Sequence, residues 1–329
     1  MSTLHRLFAG IDMRTKLPRQ AAQACRSPRH RDAIAALLIA VLPMLFVGGL
    51  CVHAATKPEA SRDIGYIERI VGDLKNIRIE RQGKSLQPAI LLPLRADDRI
   101  FLRQGSEVSL QLGNRRIVIA EKDSPYRVPA VDAPPAFVSR LRSTLLSLGA
   151  KLTSQYTRSS VPVSTSSRGH EGPLLMPVVE DENSRIGTHR TALNLAWEGG
   201  TAPFVVEILS GQGQRLAKQE RVEDWRLRLM FGTVSIPEGP VHIAVEDSTG
   251  TRISKLIQVV PASALPGRAP QSDIPPDLHA VIAADELIRT NHKQWGLEAY
   301  QDLADLAASY EPARLLRDCL EAVPTCYQP

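Results

Sequence analysis

EVSLQLGNRRIVIA, residues 107–120, decides the fold class. Val108, Leu110 and Leu112 alternate with Glu107, Ser109 and Gln111, Gly113-Asn114 interrupts, and Ile117 and Ile119 resume the pattern. Alternation with period two sends successive side chains to opposite faces of a strand, and Gly-Asn supplies the backbone freedom a tight turn needs. The stretch therefore predicts two strands with one buried face and one wet face. The same signature stands upstream, where Ile77 and Ile79 alternate with Arg78 and Glu80 before Gln82-Gly83-Lys84. Downstream, from Leu174 to Pro261, come LLMPVV, TALNLAW, PFVVEIL, WRLRLMF, VHIAVED and ISKLIQVV. Turn residues at Gly199-Gly200, Gly211-Gln212-Gly213, Glu238-Gly239 and Thr249-Gly250 separate them. Short alternating strands packed into under about a hundred residues predict an Ig-like or fibronectin-like sandwich over 173–262, with Trp197 as a core aromatic. The expected fold class is mainly β.

Helical segments border these β regions. Pro134-Pro135 opens a predicted amphipathic helix with Phe137, Leu141, Leu145 and Leu148 on one face. The run TSQYTRSSVPVSTSSRGH that follows has no apolar period, and 153–172 reads as a Ser/Thr-rich linker. LPGRAPQSDIPP marks a Pro-rich linker over 263–276, beyond which 277–329 turns helical. Leu278, Val281, Ile282 and Ile288 form one stripe, Ala299, Tyr300, Leu303, Ala307 and Tyr310 a second, and Pro312 starts a third helix with Leu315, Leu316 and Leu320.

Charge and hydropathy organise the amino-terminal end. Before Ala33 stand seven basic residues against Asp12 and Asp32, which accounts for the whole formal charge of +5. The rest of the chain is neutral, so it has no net field with which to gather phosphates, and nucleic acid is not expected as a partner. Residues 1–32 read as a basic cytoplasmic tail. From Ala33 to Ala55 no Asp, Glu, Lys or Arg interrupts IAALLIAVLPMLFVGGLCVHAA, a length of roughly 34 Å as helix. Residues 33–55 are the expected transmembrane helix. Lipid tolerates its Pro43 and Gly48-Gly49, and the basic flank places the amino terminus in the cytoplasm. Val52-His53-Ala54 forms a passable signal-peptide cleavage site, but the length of the apolar run and of the segment before it favours retention as an anchor. Leu50 before Cys51 argues against lipidation, which wants a small residue there.

At residues 62–152 a family resemblance becomes visible. The order Gly65, Ile67, Ile70, Gly72, Leu74, then Leu94-Arg95-Ala96-Asp97-Asp98-Arg99-Ile100, then Gly105 and the paired strands resembles the FecR-like domain over about sixty residues. The family's usual Gly-Asp appears here as Asp97-Asp98, and its late Asp-Gly turn as Gly113-Asn114. The resemblance implies a periplasmic β-rich domain behind a single membrane helix, as in regulators of iron-uptake sigma factors and other bacterial envelope proteins. It does not reach the tail, since the first Trp of the chain is Trp197, whereas sigma regulators carry a Trp-containing cytoplasmic domain. The block from Trp295-Gly296 to Pro312-Ala313 resembles one tetratricopeptide-type helical pair, which cannot bury its own face and must dock on something.

Motifs for chemistry are missing from the sequence. It contains no G-x-S-x-G elbow, Walker A run, HExxH or strand-linked G-x-G-x-x-G, so no catalytic, cofactor-binding or metal-ligating residue is expected. Cys319 and Cys326 are free to form a disulfide in an oxidising compartment, and two Cys without a nearby His make a poor zinc site. Glu180-Asp181-Glu182 reads as a solvated loop. Arg78, Arg81, Lys84, Arg95, Arg99 and Arg103 are the densest exported basic set, interleaved with Glu80, Asp97 and Asp98. The function expected is that of a single-pass bacterial inner-membrane protein, bulk periplasmic. It would act as an interaction or sensory protein through another envelope or membrane protein, or cell-wall polymer, rather than by catalysis. A structural adaptor of an envelope complex is the alternative, and a cell-wall hydrolase a further one for which the sequence offers no nucleophile.

Overall fold

The computed structural model describes residues 62–131, 135–160, 172–180, 182–231, 235–266 and 273–322. The basic tail, the 33–55 apolar run, the linker residues 161–171 and Cys326 lie outside the described residues. Among those described, no helix is long and apolar enough to cross a membrane. The chain is mainly β, in several sheets, with a few helices concentrated toward its carboxy-terminal part.

The first β module holds β1 (Asp63–Val71), β2 (Ile77–Arg81), β3 (Lys84–Leu86), β4 (Pro93–Arg95), β5 (Arg99–Leu102), β6 (Glu107–Leu112), β7 (Arg115–Ala120) and β8 (Tyr126–Arg127). They form two four-stranded sheets, in orders β4-β1-β6-β7 and β3-β2-β5-β8. The 107–120 hairpin pairs Leu112 with Arg115 across Gly113, whose φ of +56° explains the glycine. Val108, Leu110, Leu112 and Ile119 are buried. β1 departs from alternation because it is covered on both faces, with Ile64, Tyr66, Ile67 and Ile70 all buried. Each such side chain contributes roughly 1.5–3 kcal/mol by leaving water. Gly65 admits the neighbouring strand where the β1 register shifts, since a Cβ there would stand 2.0 Å from the Gln111 carbonyl oxygen.

α1 (Ala136–Arg140) and α2 (Arg142–Ser160) follow, parted at Leu141. Phe137, Leu145 and Leu148 are buried as their spacing requires, and Leu141 is only half-buried. The expected linker start at 153 needs correction, because α2 runs on to Ser160. Leu152 and Tyr156 supply the missing apolar turn, the Tyr156 hydroxyl donates to the Gly72 carbonyl at 2.6 Å, and Thr153 Oγ1 accepts from the Ile90 amide at 2.9 Å.

The second β module contains β9 (Arg185–Gly187), β10 (Ala192–Ala196), β11 (Phe204–Ser210), β12 (Arg215–Val222), β13 (Arg226–Met230), β14 (Gly239–Glu246) and β15 (Arg252–Val260). Its sheets are five-stranded, order β12-β11-β14-β15-β9, and two-stranded, β10-β13. The expected LLMPVV strand is reduced to a single antiparallel bridge between Leu175 and Glu198. The helical segment is α3 (Pro276–Leu306) and α4 (Glu311–Glu321). α3 is broken at Asn291 (φ −165°, ψ 97°), so the three expected helices are present, the first two run together. The segment docks on both modules. α4 lies against β1 and α2, and α3 against β9 and β10, which answers how a lone helical pair buries its face.

Candidate functional site

The candidate site is a cleft of about 600 Å³ where the second β module meets the end of α4. It starts from the Gly199-Gly200 turn, whose φ values are +74° and +71°. A Cβ on Gly199 would stand 2.2 Å from the Pro173 carbonyl oxygen, so glycine is required both by conformation and by the close approach of 172–175. That approach is what lets Leu175 and Glu198 exchange backbone hydrogen bonds of 2.9 Å.

Behind the turn the aromatic side chains interlock. Trp197, 2% exposed, meets Phe204 edge-on at 5.3 Å, and Phe204 meets Trp225 at 5.8 Å. The Trp197 amide donates to the Trp225 carbonyl, and the Trp225 indole donates to the Gly199 carbonyl, both at 3.1 Å. The Trp197 indole N–H is buried without a hydrogen-bond partner. Leu175, 40% exposed, joins Pro173 and Pro177 to give an apolar wall.

The polar lining is unequal. Arg226 donates through Nε to both carboxylate oxygens of Glu321, at 2.9 and 3.1 Å, and its Nη2 contacts Asp318. The hydrogen bond that Arg226 donates to Glu321, ahead of the Glu321 charge, holds the guanidinium pKa above its ordinary value. The Tyr300 hydroxyl also donates to Glu321, at 2.8 Å. Burial, then the Glu321 charge, raises the Tyr300 pKa. Glu198 and Asp224 line the same cleft, and among the described residues neither carboxylate makes an ion pair or a side-chain hydrogen bond. Among the described residues the cleft thus presents apolar walls, one neutralised guanidinium and two carboxylates without an ion-pair partner.

The residues singled out from sequence fall mostly elsewhere. Trp197 is in the core as expected. Cys319 is fully buried in α4 and disulfide-bonded, while Cys326 lies outside the described residues. Glu180 contacts Lys293 at 3.8 Å, and Asp181 lies outside the described residues. Three of the six residues in the basic set of the first module are committed to structure, and Lys84, Arg99 and Arg103 are exposed. Arg81 grips the buried Asp98 with two hydrogen bonds of 2.8 and 2.7 Å, Arg95 pairs with Asp63 at 3.0 Å, and Arg78 lies over the Phe101 ring at 4.3 Å. Asp97-Asp98 therefore works as a turn and anchor, with Asp97 at φ +68°. Among the described residues, no group of His, Cys, Asp and Glu is placed to hold a metal ion. Sequence reasoning missed Glu198, Trp225 and Asp224. Their one local signal is that acidic residues flank both aromatics, in Trp197-Glu198 and Asp224-Trp225.

No family model matches the chain. No curated protein matches it. Among solved structures, a "Biofilm associated protein - BSP domain" aligns over 58% of this chain and 32% of its own length, with 12% identity and a TM-score of 0.22. The chain thus spans about a third of that structure, and a similarity this slight carries no argument about fold or function.

Proposed function

We propose that this chain is a membrane-anchored periplasmic interaction or sensory protein that acts through a partner rather than by catalysis, and that the cleft beside Trp225 is where the partner engages. In this reading residues 33–55 fix the protein in a bacterial inner membrane with the amino terminus cytoplasmic. The first module is FecR-like, and the second is an Ig-like sandwich.

The observation that carries the proposal is the cleft itself. Ligand sites are typically preformed recesses of roughly 300–1,000 Å³, mostly apolar with a few placed polar groups. This one has that size, apolar walls of Leu175, Pro173 and Pro177, and two carboxylates with no partner among the described residues. The buried Arg190–Glu298 pair ties the module to α3, and the Arg226–Glu321 pair within the cleft ties its wall to α4, so little ordering is left for the moment of binding.

The test is a pull-down from detergent-solubilised membranes and sacculi with the full chain, comparing Leu175→Glu with Met230→Glu. Both side chains are exposed, 40% and 54%, but only Leu175 lines the cleft. Capture should be lost in Leu175→Glu and kept in Met230→Glu. Equal capture by the two variants refutes the cleft as the binding place, and no capture above background by the unaltered chain refutes the interaction reading altogether.

A further inference from the structure

Resting on the reading of the cleft as the place where a partner engages, we propose that its occupant is a polypeptide segment presenting a Lys or Arg side chain beside an aliphatic one.

The charge pattern points to a cation. On the same module Glu207 faces Arg215, Lys218 and Arg252, Glu220 faces Lys218, and Glu246 faces Arg252. Among the described residues Glu198 and Asp224, like Glu223 and Glu238, have no such neighbour, but Glu198 and Asp224 both line a recess whose remaining charges, Arg226 and Glu321, neutralise each other. Low-dielectric walls concentrate the field of uncompensated charge, so the recess favours a positive group. An anionic lipid surface or a nucleic acid backbone meets repulsion there, and a neutral glycan leaves both charges uncompensated.

The apolar wall selects the rest of the ligand. Lys and Arg carry long aliphatic stems that lie along apolar surface while the charged head reaches polar groups. Leu175 and Pro177 offer such a surface next to Glu198, and an adjoining aliphatic side chain fills the remainder of the cleft. A polypeptide supplies both groups on one chain.

The test is photo-crosslinking in cells making the full chain, with a photo-reactive aromatic amino acid at position 175 and the attached material identified by mass spectrometry. Three backgrounds are compared: the unaltered chain, Glu198→Gln with Asp224→Asn, and Glu220→Gln as a charge change outside the cleft. The double variant is first matched to the unaltered chain in thermal melting, and if it falls short Glu198→Gln alone replaces it. The expected result is one recurrent attached peptide carrying Lys or Arg next to an aliphatic residue. Its yield falls at least about ten-fold in the double variant and is unchanged in Glu220→Gln. An undiminished yield in the charge-neutralised variant, or an attached glycan or lipid, overturns the polypeptide cation while leaving the cleft as a binding place. No attachment above the unirradiated sample overturns the cleft reading and this proposal together.

Discussion

The helical segment holds its two β neighbours by contacts of different kinds. Toward the second module it uses buried charge. Glu298, 0% exposed, accepts from the Gly187 amide at 3.0 Å and from Arg190 Nη2 at 2.6 Å, and Arg190 also reaches Asp302 at 2.7 Å. The Asn194 amide donates to the buried Gln301 side chain at 2.6 Å, and Gln301 Nε2 returns a bond to the Asn194 carbonyl at 3.0 Å. Toward the first module the contacts are a neutral hydroxyl pair, an ion pair whose Asp285 is buried while its Lys151 stays partly exposed, and a pair at the exposed rim. The Tyr66 and Tyr310 hydroxyls meet at 3.3 Å, Lys151 reaches Asp285 at 3.2 Å, and Arg140 pairs with Asp273 at the exposed rim at 2.7 Å. The contrast teaches that an ion pair's consequence is set by its burial. A buried pair holds an element in one place because breaking it strands a charge, whereas an exposed pair exchanges readily with water.

The largest effect should come from Glu298→Ala, which leaves Arg190 buried without its main partner and should cost about 3–5 kcal/mol in denaturant unfolding of the full chain. A cost below about 1 kcal/mol would erase the distinction between the two joints. Next is Gly199→Ala, which imposes strain of about 1–3 kcal/mol at its positive φ and pushes 172–175 away from Glu198. Tryptophan fluorescence should report that shift through Trp225, and an unchanged spectrum would show that the turn does not set the cleft. Tyr66→Phe removes one hydroxyl of the first joint and should cost about 1 kcal/mol, read from the same unfolding curves. Smallest is Arg140→Ala, at about 0.2–1 kcal/mol, since both partners are about half exposed.

Acidity sharpens the comparison further. Glu68 is buried on β1, paired with Arg116 at 2.6 Å, and lies close enough to Asp277 of α3 to feel its charge. Burial pushes its carboxyl above the ordinary carboxylate value, outweighing the attraction of Arg116. The folded chain therefore holds a proton at a pH where the unfolded chain has released it. This contribution to stability is fully present below the ordinary carboxylate pKa and is lost as pH rises through the folded value. Stability of the unaltered chain relative to Glu68→Gln should accordingly rise as pH falls through that window. A difference that is flat with pH, or that falls on acidification, would contradict the assignment.

Much of this architecture was legible in the sequence where local rules decide the outcome. The hairpins at 77–86 and 107–120 announced themselves because alternation and a glycine turn coincide. β12 did not, since RLAKQERV is a polar edge strand whose pairing with β11 is settled by its neighbour rather than by its own pattern. α2 outran its expected end because Tyr156 finds its partner at Gly72, far away in sequence. The joints were illegible for the same reason. No local pattern in the sequence links Glu298 to Arg190, and only the docking of α3 beside β9 makes them a buried pair. The cleft was half legible, since Trp197 and the Gly199-Gly200 turn stood out but nothing local joined them to Asp224 or Glu321.

Native-state hydrogen exchange on the full chain tests most directly whether the helical segment is locked to the second module. Amides of α3 beyond Asn291, of α4 and of β10 and β13 should open together, with one free energy and one denaturant dependence, and α2 should open at a lower one. If α3 and α4 exchange independently of β10 and β13, the buried charges do not bind the segment to that module, and the rigid frame assigned to the cleft is wrong.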